Sequence, residues 1–181
     1  MKGEPPAGPL KDAQRAVSLV RSRAQEFDLD PKKIGMVGFS AGGHLVGATA
    51  TNFETRTYDA VDDLDAVSCR PDFGVMLYSG YFKAKGKEEL HPSIKTPAGI
   101  PPLFIAHATD DAVSEADHSV TMYLAMKRAG AAAELNVYAT GGHGWGVRKL
   151  GQPCETWTDR CLEWLRKSGI LKTEGFPTER K

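Results

Sequence analysis

The segment Ile34-Gly35-Met36-Val37-Gly38-Phe39-Ser40-Ala41-Gly42-Gly43-His44 constrains this chain more than any other. A short apolar run stops at a serine ringed by glycines, which reads as strand, sharp turn and helix. Gly38, Ser40 and Gly42 make the pattern G-x-S-x-G, in which a serine occupies a strained strand-to-helix turn and small neighbours let the backbone fold tightly beneath it. Ile34, Met36, Val37 and Phe39 suit a strand, and His44 to Ala50 suit a helix whose small residues pack closely on a sheet. Such a turn exposes its hydroxyl as a nucleophile. The same residues also fit a plain glycine-rich loop of an α/β domain, so the rest of the chain has to supply partners.

Upstream, Leu10, Ala13, Val17, Val20, Ala24 and Phe27 recur at steps of three and four, which predicts one amphipathic helix ended by Asp28 to Pro31. Phe73-Gly74-Val75-Met76-Leu77-Tyr78 and Leu103-Phe104-Ile105-Ala106-His107 are almost wholly apolar, as expected of strands buried on both faces of a parallel sheet. The stretch between them is loop in composition rather than core, and a cap or substrate loop is expected there. Ser114, with Asp117 three residues on, is expected to cap a helix burying Val120, Tyr123, Leu124 and the Lys127 stem, closed by Gly130. Leu135, Val137 and Ala139 alternate with Glu134, Asn136 and Tyr138, which predicts a strand with one exposed face. A last helix carries Trp157, Cys161, Trp164 and Leu165 on one face and stops at Gly169, and residues 173–181 read as a mobile tail. Strands alternating with helices predict an α/β fold, one domain over residues 1–181 with a parallel, helix-covered sheet of about four strands.

Charge narrows the partners. Twenty-three basic residues balance twenty-three acidic ones, so no net field draws the chain to nucleic acid or to an anionic membrane. Asp59, Asp62, Asp63 and Asp65 lack the alternation, glycine turn and terminal glutamate of a calcium loop, and they read as a solvated loop with a short helix. Cys69, Cys154 and Cys161 form neither a disulfide framework nor a zinc spacing, so no metal is expected. The first residues lack the apolar core of a signal peptide and no run is long enough to cross a bilayer. The default expectation is cytoplasmic, with export expected instead if a signal lies upstream.

In open parallel sheets the loops at the carboxyl ends of the strands converge where ligands bind. Ser40, the pair Asp110-Asp111 and His143 each follow a predicted strand. A serine hydroxyl becomes a strong nucleophile when a base takes its proton, and an imidazole serves near neutral pH when a carboxylate fixes its tautomer. The order Ser, Asp, His is the one an α/β-hydrolase requires.

Three segments carry a resemblance: Gly38-Phe39-Ser40-Ala41-Gly42-Gly43-His44-Leu45, His107-Ala108-Thr109-Asp110-Asp111-Ala112-Val113 and Gly141-Gly142-His143-Gly144. With them the chain, from about Leu10 to Leu171, resembles the C-terminal part of the α/β-hydrolase superfamily, near its small carbohydrate-esterase (acetylxylan-type) and dienelactone-hydrolase-like members. The resemblance implies a three-layer sandwich whose early N-terminal strands are missing. It places the acid four residues after the strand-end histidine, which selects Asp111, while the residues alone leave Asp110 open. His44 and His107 match non-catalytic family positions and are expected to be structural; His91 and His118 are expected to be exposed. The N–H of Ala41 would be one oxyanion-hole donor. The second usually comes from a glycine-rich loop after an early strand, and nothing upstream of Ser40 resembles it. Tyr78, Tyr81 and Trp145 are candidates to line a substrate pocket, though packing is an equal use for such rings.

The leading expectation is a serine esterase of short acyl or acetyl esters of carbohydrates, using Ser40, Asp111 and His143 and no cofactor. A peptidase similar to the prolyl oligopeptidases, whose acid and histidine segments look alike, is the second. An inactive fragment or a silent binding or assembly module, lacking a complete oxyanion hole, is the third. The missing neighbours would leave the Ser40 strand as an apolar sheet edge, so the chain is expected to be either a piece of a longer enzyme or a short form completed by homo-oligomerisation through that edge.

Overall fold

The computed structural model describes residue 5 and residues 8–84, 86–87 and 89–172. Four strands, β1 (Gly35–Phe39), β2 (Phe73–Leu77), β3 (Leu103–Ala108) and β4 (Ala133–Tyr138), lie side by side in chain order and are all parallel. The helices are α1 (Gly8–Ser22), α2 (Ala41–Thr51), α3 (Asp117–Arg128) and α4 (Trp157–Lys167). In register, Gly38 faces Met76 and Leu77 faces Ala106, so the ends of β1, β2 and β3 are brought level.

The pleat divides the apolar strands between two cores. Met76, Leu103 and Ile105 meet Val46, Ala48 and Ala50 of α2 and Met122, Ala125 and Met126 of α3. On the other face Val75, Leu77, Phe104 and Ala106 meet Trp157, Cys161 and Trp164 of α4. Helices on both faces give the three layers expected. Residues 173–181, read as a mobile tail, lie outside the described residues.

Several local expectations are corrected. The first helix ends at Ser22 and is followed by a 3-10 turn, Ala24–Phe27, with Phe27 exposed. Its buried stripe is Ala13, Gln14, Val17 and Ser18, half of it polar. Gln14 Nε2 donates to the Asn52 carbonyl (2.6 Å) and its Oε1 accepts from Thr57 N (2.9 Å), while Ser18 Oγ donates to the Val67 carbonyl (2.8 Å). These bonds tie down the segment after α2, and a count of apolar positions gives them no weight.

That segment is not simply solvated. The Asp65 side chain is 1% exposed, ion-paired to Arg15 (2.8 Å), and it accepts from the Tyr58 hydroxyl (2.5 Å) and from Val61 N (2.9 Å). These bonds hold its carboxyl down to a pKa of about 2. The loop between β2 and β3, read as non-core, sends Phe82, Ile94 and Ile100 into the first core. On α3 the buried face is His118, Ser119, Met122, Ala125 and Met126, and Leu124 is exposed. Ser114 does not cap that helix; its Oγ donates to the Ser79 carbonyl (3.0 Å), because the chain after β3 is pulled towards the end of β2. His118 is buried rather than exposed, with Nδ1 accepting from Lys83 N (3.0 Å).

β1 is one edge of the four-stranded sheet and β4 the other. On the α4 face Val37 is 57% and Phe39 38% exposed, whereas their register partners Val75 and Leu77 are buried. The strand that carries the serine therefore presents apolar side chains at an open edge, as expected from the sequence.

Candidate active site

Ser40 joins β1 to α2 with φ 55° and ψ −121°, a conformation rare for a residue with a side chain. Its N–H is fixed to the Leu77 carbonyl (2.9 Å). A Cβ at Gly38 would lie 2.1 Å from the Gly42 carbonyl oxygen, so that position demands glycine, and one at Gly43 would require the Ser79 hydroxyl to move aside. A Cβ at Gly42, the third glycine of the motif, meets nothing. Close approach is needed at the first motif glycine, Gly38.

The two other expected residues arrive from different strand ends. His143 Nε2 lies 2.9 Å from Ser40 Oγ, and His143 Nδ1 lies 2.7 Å from Asp111 Oδ2. Asp111 follows β3, its side chain is fully buried, and its Oδ1 accepts from Val113 N (2.8 Å) and Ser114 N (2.9 Å). The His143 side chain is 19% exposed, which leaves its ring open to a reactant.

The neighbouring acid has a different place. Asp110 Oδ1 accepts from Gly142 N (2.7 Å), a bond that lowers its proton affinity and fastens the histidine loop from below. The loop is held at further points: Gly146 N donates to the Tyr78 hydroxyl (3.2 Å), Trp157 Nε1 to the Gly146 carbonyl (2.7 Å), and Arg148 to the Gly144 carbonyl. Gly142, Gly144 and Gly146 all have positive φ, so the loop needs the freedom of glycine to aim His143 back at the sheet.

Of the expected pocket aromatics, one is available. Tyr81 is partly exposed and borders a cavity of about 560 Å³ beside Ala41, Gly42, His44 and Leu45, with Pro5, Pro9 and Leu10 on its far wall. Trp145 is 1% exposed and Tyr78 4% exposed, and neither is among the residues that line that cavity. They pack edge to face, ring centroids 4.7 Å apart, and the Tyr78 ring lies 4.9 Å from the His143 ring, also edge to face. Tyr78 backs the imidazole, with φ 40° bringing it there. Ala41 opens α2, so its N–H is among the helix-start donors that no intrahelical carbonyl takes. Burial pushes the neighbouring His44 down to a pKa of about 4, so its ring is neutral near neutral pH.

Sequence reasoning missed the surroundings of His107. It is fully buried and lies 3.3 Å from the same carboxylate oxygen that His143 uses. The available signal was a histidine ending an otherwise apolar strand, which requires buried partners.

Known proteins are similar in both sequence and architecture. The BD-FAE family model matches residues 4–77. The acetyl ester-xyloside bifunctional hydrolase of Caldicellulosiruptor lactoaceticus is 30% identical, with a TM-score of 0.80 over 93% of this chain and 68% of that one. The chain belongs to the α/β-hydrolase superfamily. Within it, an acetylxylan esterase of Xylanibacter ruminicola is 29% identical over 150 residues, 76% of this chain and 31% of that protein. An esterase of Thermogutta terrifontis shares the fold, with a TM-score of 0.74 and 24% identity over 92% of this chain and 67% of that one. The chain spans about a third of the length of the acetylxylan esterase, and a similar or smaller share of the other curated relatives it matches. Among the described residues no helix is long and apolar enough to cross a membrane.

Proposed function

We propose that this chain is a serine carboxylic-ester hydrolase that acts on short acyl or acetyl esters of carbohydrates. The observation that carries the reading is the continuous hydrogen-bonded line Ser40–His143–Asp111, 2.9 and 2.7 Å per link, built from three strand ends. In this reading His143 Nε2 takes the proton of Ser40 Oγ as the oxygen attacks the ester carbonyl. The C–O bond to the alcohol then breaks and the alcohol leaves with the proton from His143. Water, deprotonated by the same nitrogen, attacks the acyl-enzyme, releasing the carboxylic acid and restoring Ser40. Asp111 holds the imidazole in the tautomer with its hydrogen on Nδ1 and stabilises the imidazolium as it forms. No step calls on a cofactor.

The Ala41 N–H donates to the developing oxyanion. A site with this donor alone turns over roughly a hundred- to a thousandfold more slowly than one with a second. The mostly apolar cavity beginning at Ala41 and Gly42 supports a substrate half seated against α2, bordered by Tyr81. Similarity to an acetylxylan esterase and to an acetyl ester-xyloside bifunctional hydrolase supports the ester class, and the acetylxylan esterase supports the carbohydrate.

The test is hydrolysis of p-nitrophenyl acetate, acetylated xylo-oligosaccharides and a proline-containing peptide, alongside labelling by a fluorophosphonate. Acetyl-ester turnover and labelling at Ser40 are expected, both abolished in Ser40→Ala. Preference for the peptide would replace the esterase by a peptidase. A folded protein that neither labels nor turns over would make the chain an inactive piece of a longer enzyme or a binding module.

A further inference from the structure

We propose that His107 is a positioning residue for Asp111, a buried neutral ring whose Nε2–H edge lies against the carboxylate and keeps it turned towards His143. The inference rests on the hydrolase reading above, and it stands on the surroundings of the His107 ring. Nε2 lies 2.8 Å from the Ser114 carbonyl oxygen and 3.3 Å from Asp111 Oδ2, and Nδ1 lies 2.7 Å from Ser119 Oγ. The Ser114 carbonyl only accepts, and so does Asp111 when ionised, so Nε2 carries the hydrogen and Nδ1 accepts from the Ser119 hydroxyl. The ring is completely buried, which disfavours its cationic form.

Asp111 is thereby approached on every side. Oδ1 takes the Val113 and Ser114 N–H groups, and Oδ2 takes His143 while facing His107. Three of these are hydrogen bonds to a carboxylate that offers about four lone-pair sites, and the His107 Nε2–H, given to the Ser114 carbonyl at 2.8 Å, passes the remaining side at 3.3 Å. The Asp111 carboxylate is what stabilises the cationic form of His143 in the proposed mechanism, so the direction in which it is held matters. The neutrality of His107 matters equally. A cation there would compete with the His143 imidazolium for the same charge, whereas a neutral N–H supports the anion without cancelling it.

The ring also joins three elements. It stands on β3, Ser119 belongs to α3, and Ser114 links onward through its Oγ to the Ser79 carbonyl beyond β2. The other titratable or charged groups around the pair are Tyr78 against the His143 ring, Asp110 under Gly142, Arg148 on the histidine loop, and His118 on α3.

The test compares His107→Phe, which removes the donor, with His107→Gln, whose amide nitrogen reaches near the Nε2 position. Two readouts are used: the pH profile of kcat/KM on p-nitrophenyl acetate, and the NMR titration of the His143 ring in the resting protein. In His107→Phe the charge of Asp111 concentrates on its His143 side. The acid-limb midpoint and the His143 titration are expected to move up together by about half to one pH unit. The kcat is expected to fall about tenfold with KM nearly unchanged. His107→Gln is expected to restore both midpoints. Midpoints equal to wild type in both variants, with lowered thermal stability alone, would reduce His107 to packing. Should the phenylalanine variant not fold, 15N NMR of wild-type His107 decides: a neutral ring with hydrogen on Nε2 from pH 5 to 8 supports the proposal, and an Nδ1–H or cationic ring overturns it. Absence of fluorophosphonate labelling at wild-type Ser40 would instead overturn the hydrolase reading, and the NMR readouts would still judge His107.

Discussion

At the scale of single residues, the two adjacent aspartates have separate tasks. Asp111 is buried against both histidines, whereas Asp110 takes the Gly142 N–H and steadies the loop. Under the proposed mechanism Asp111→Asn leaves His143 with the wrong tautomer and is expected to lower kcat by about ten-thousandfold. Asp110→Asn keeps an oxygen that accepts from Gly142 and is expected to cost no more than about tenfold. Steady-state kinetics on p-nitrophenyl acetate check both, and equal losses would remove the distinction. Asp111 and Asp110 are neighbours of the same type, so only their opposite directions from the end of β3 separate them.

At the scale of elements, the serine turn is defined by how closely β1 and α2 approach. Gly38→Ala drives a Cβ to 2.1 Å from the Gly42 carbonyl, backbone against backbone, and is expected to destabilise by about 1–3 kcal/mol or more. Gly42→Ala meets open space inside a helix, where alanine is favoured over glycine by about 1 kcal/mol, so it is expected to leave stability unchanged or raise it. Urea unfolding midpoints distinguish the two, and similar midpoints would contradict this account of the turn. The histidine loop shows the same dependence on neighbours: Tyr78, Trp157 and Asp110 come from three different parts of the chain to hold it.

At the scale of the whole molecule, two expectations follow from burial and from the open edge. His44 and His118 are both pushed down to pKa values of about 4, first of all by burial. The ordinary histidine value is about 6.5, so between about 6.5 and 4 the unfolded chain binds protons that the folded one does not. The stability due to their neutral burial is therefore full above about pH 6.5 and is lost as pH falls towards about 4. The urea midpoint is expected to drop steadily from pH 7 to pH 4.5, and a flat profile over that range would contradict it. At the β1 edge Val37 is 57% exposed on a strand that, among the described residues, is paired on one side. We propose that this edge mediates self-association of the 181-residue chain: sedimentation is expected to shift to a larger species with rising concentration and back towards the monomer in Val37→Lys, since a charge at an edge opposes strand pairing, and an unshifted profile would contradict it.

Much of the architecture was legible because it depends on near neighbours in the chain. The apolar runs of β2 and β3, the serine motif and the glycines around His143 each announce themselves locally, and the resemblance pointed to Asp111, whose Oδ2 lies 2.7 Å from His143 Nδ1. Where a polar residue is buried, the local pattern misleads. On α3 the inward face includes Ser119 because His107 needs its hydroxyl, and on α1 it includes Gln14 and Ser18 because the segment after α2 needs their hydrogen bonds. Trp145 illustrates the opposite limit: an aromatic beside the key histidine suits a pocket or a core equally, and its packing on Tyr78 placed it in the core. The residues by themselves determined which chemical groups stand at the strand ends, because strand periodicity and motif spacing are local properties. Folding decided which of them meet, and that His107 shares Asp111 with His143, because a buried hydrogen bond is satisfied only by whatever distant group the packing brings within about 3 Å.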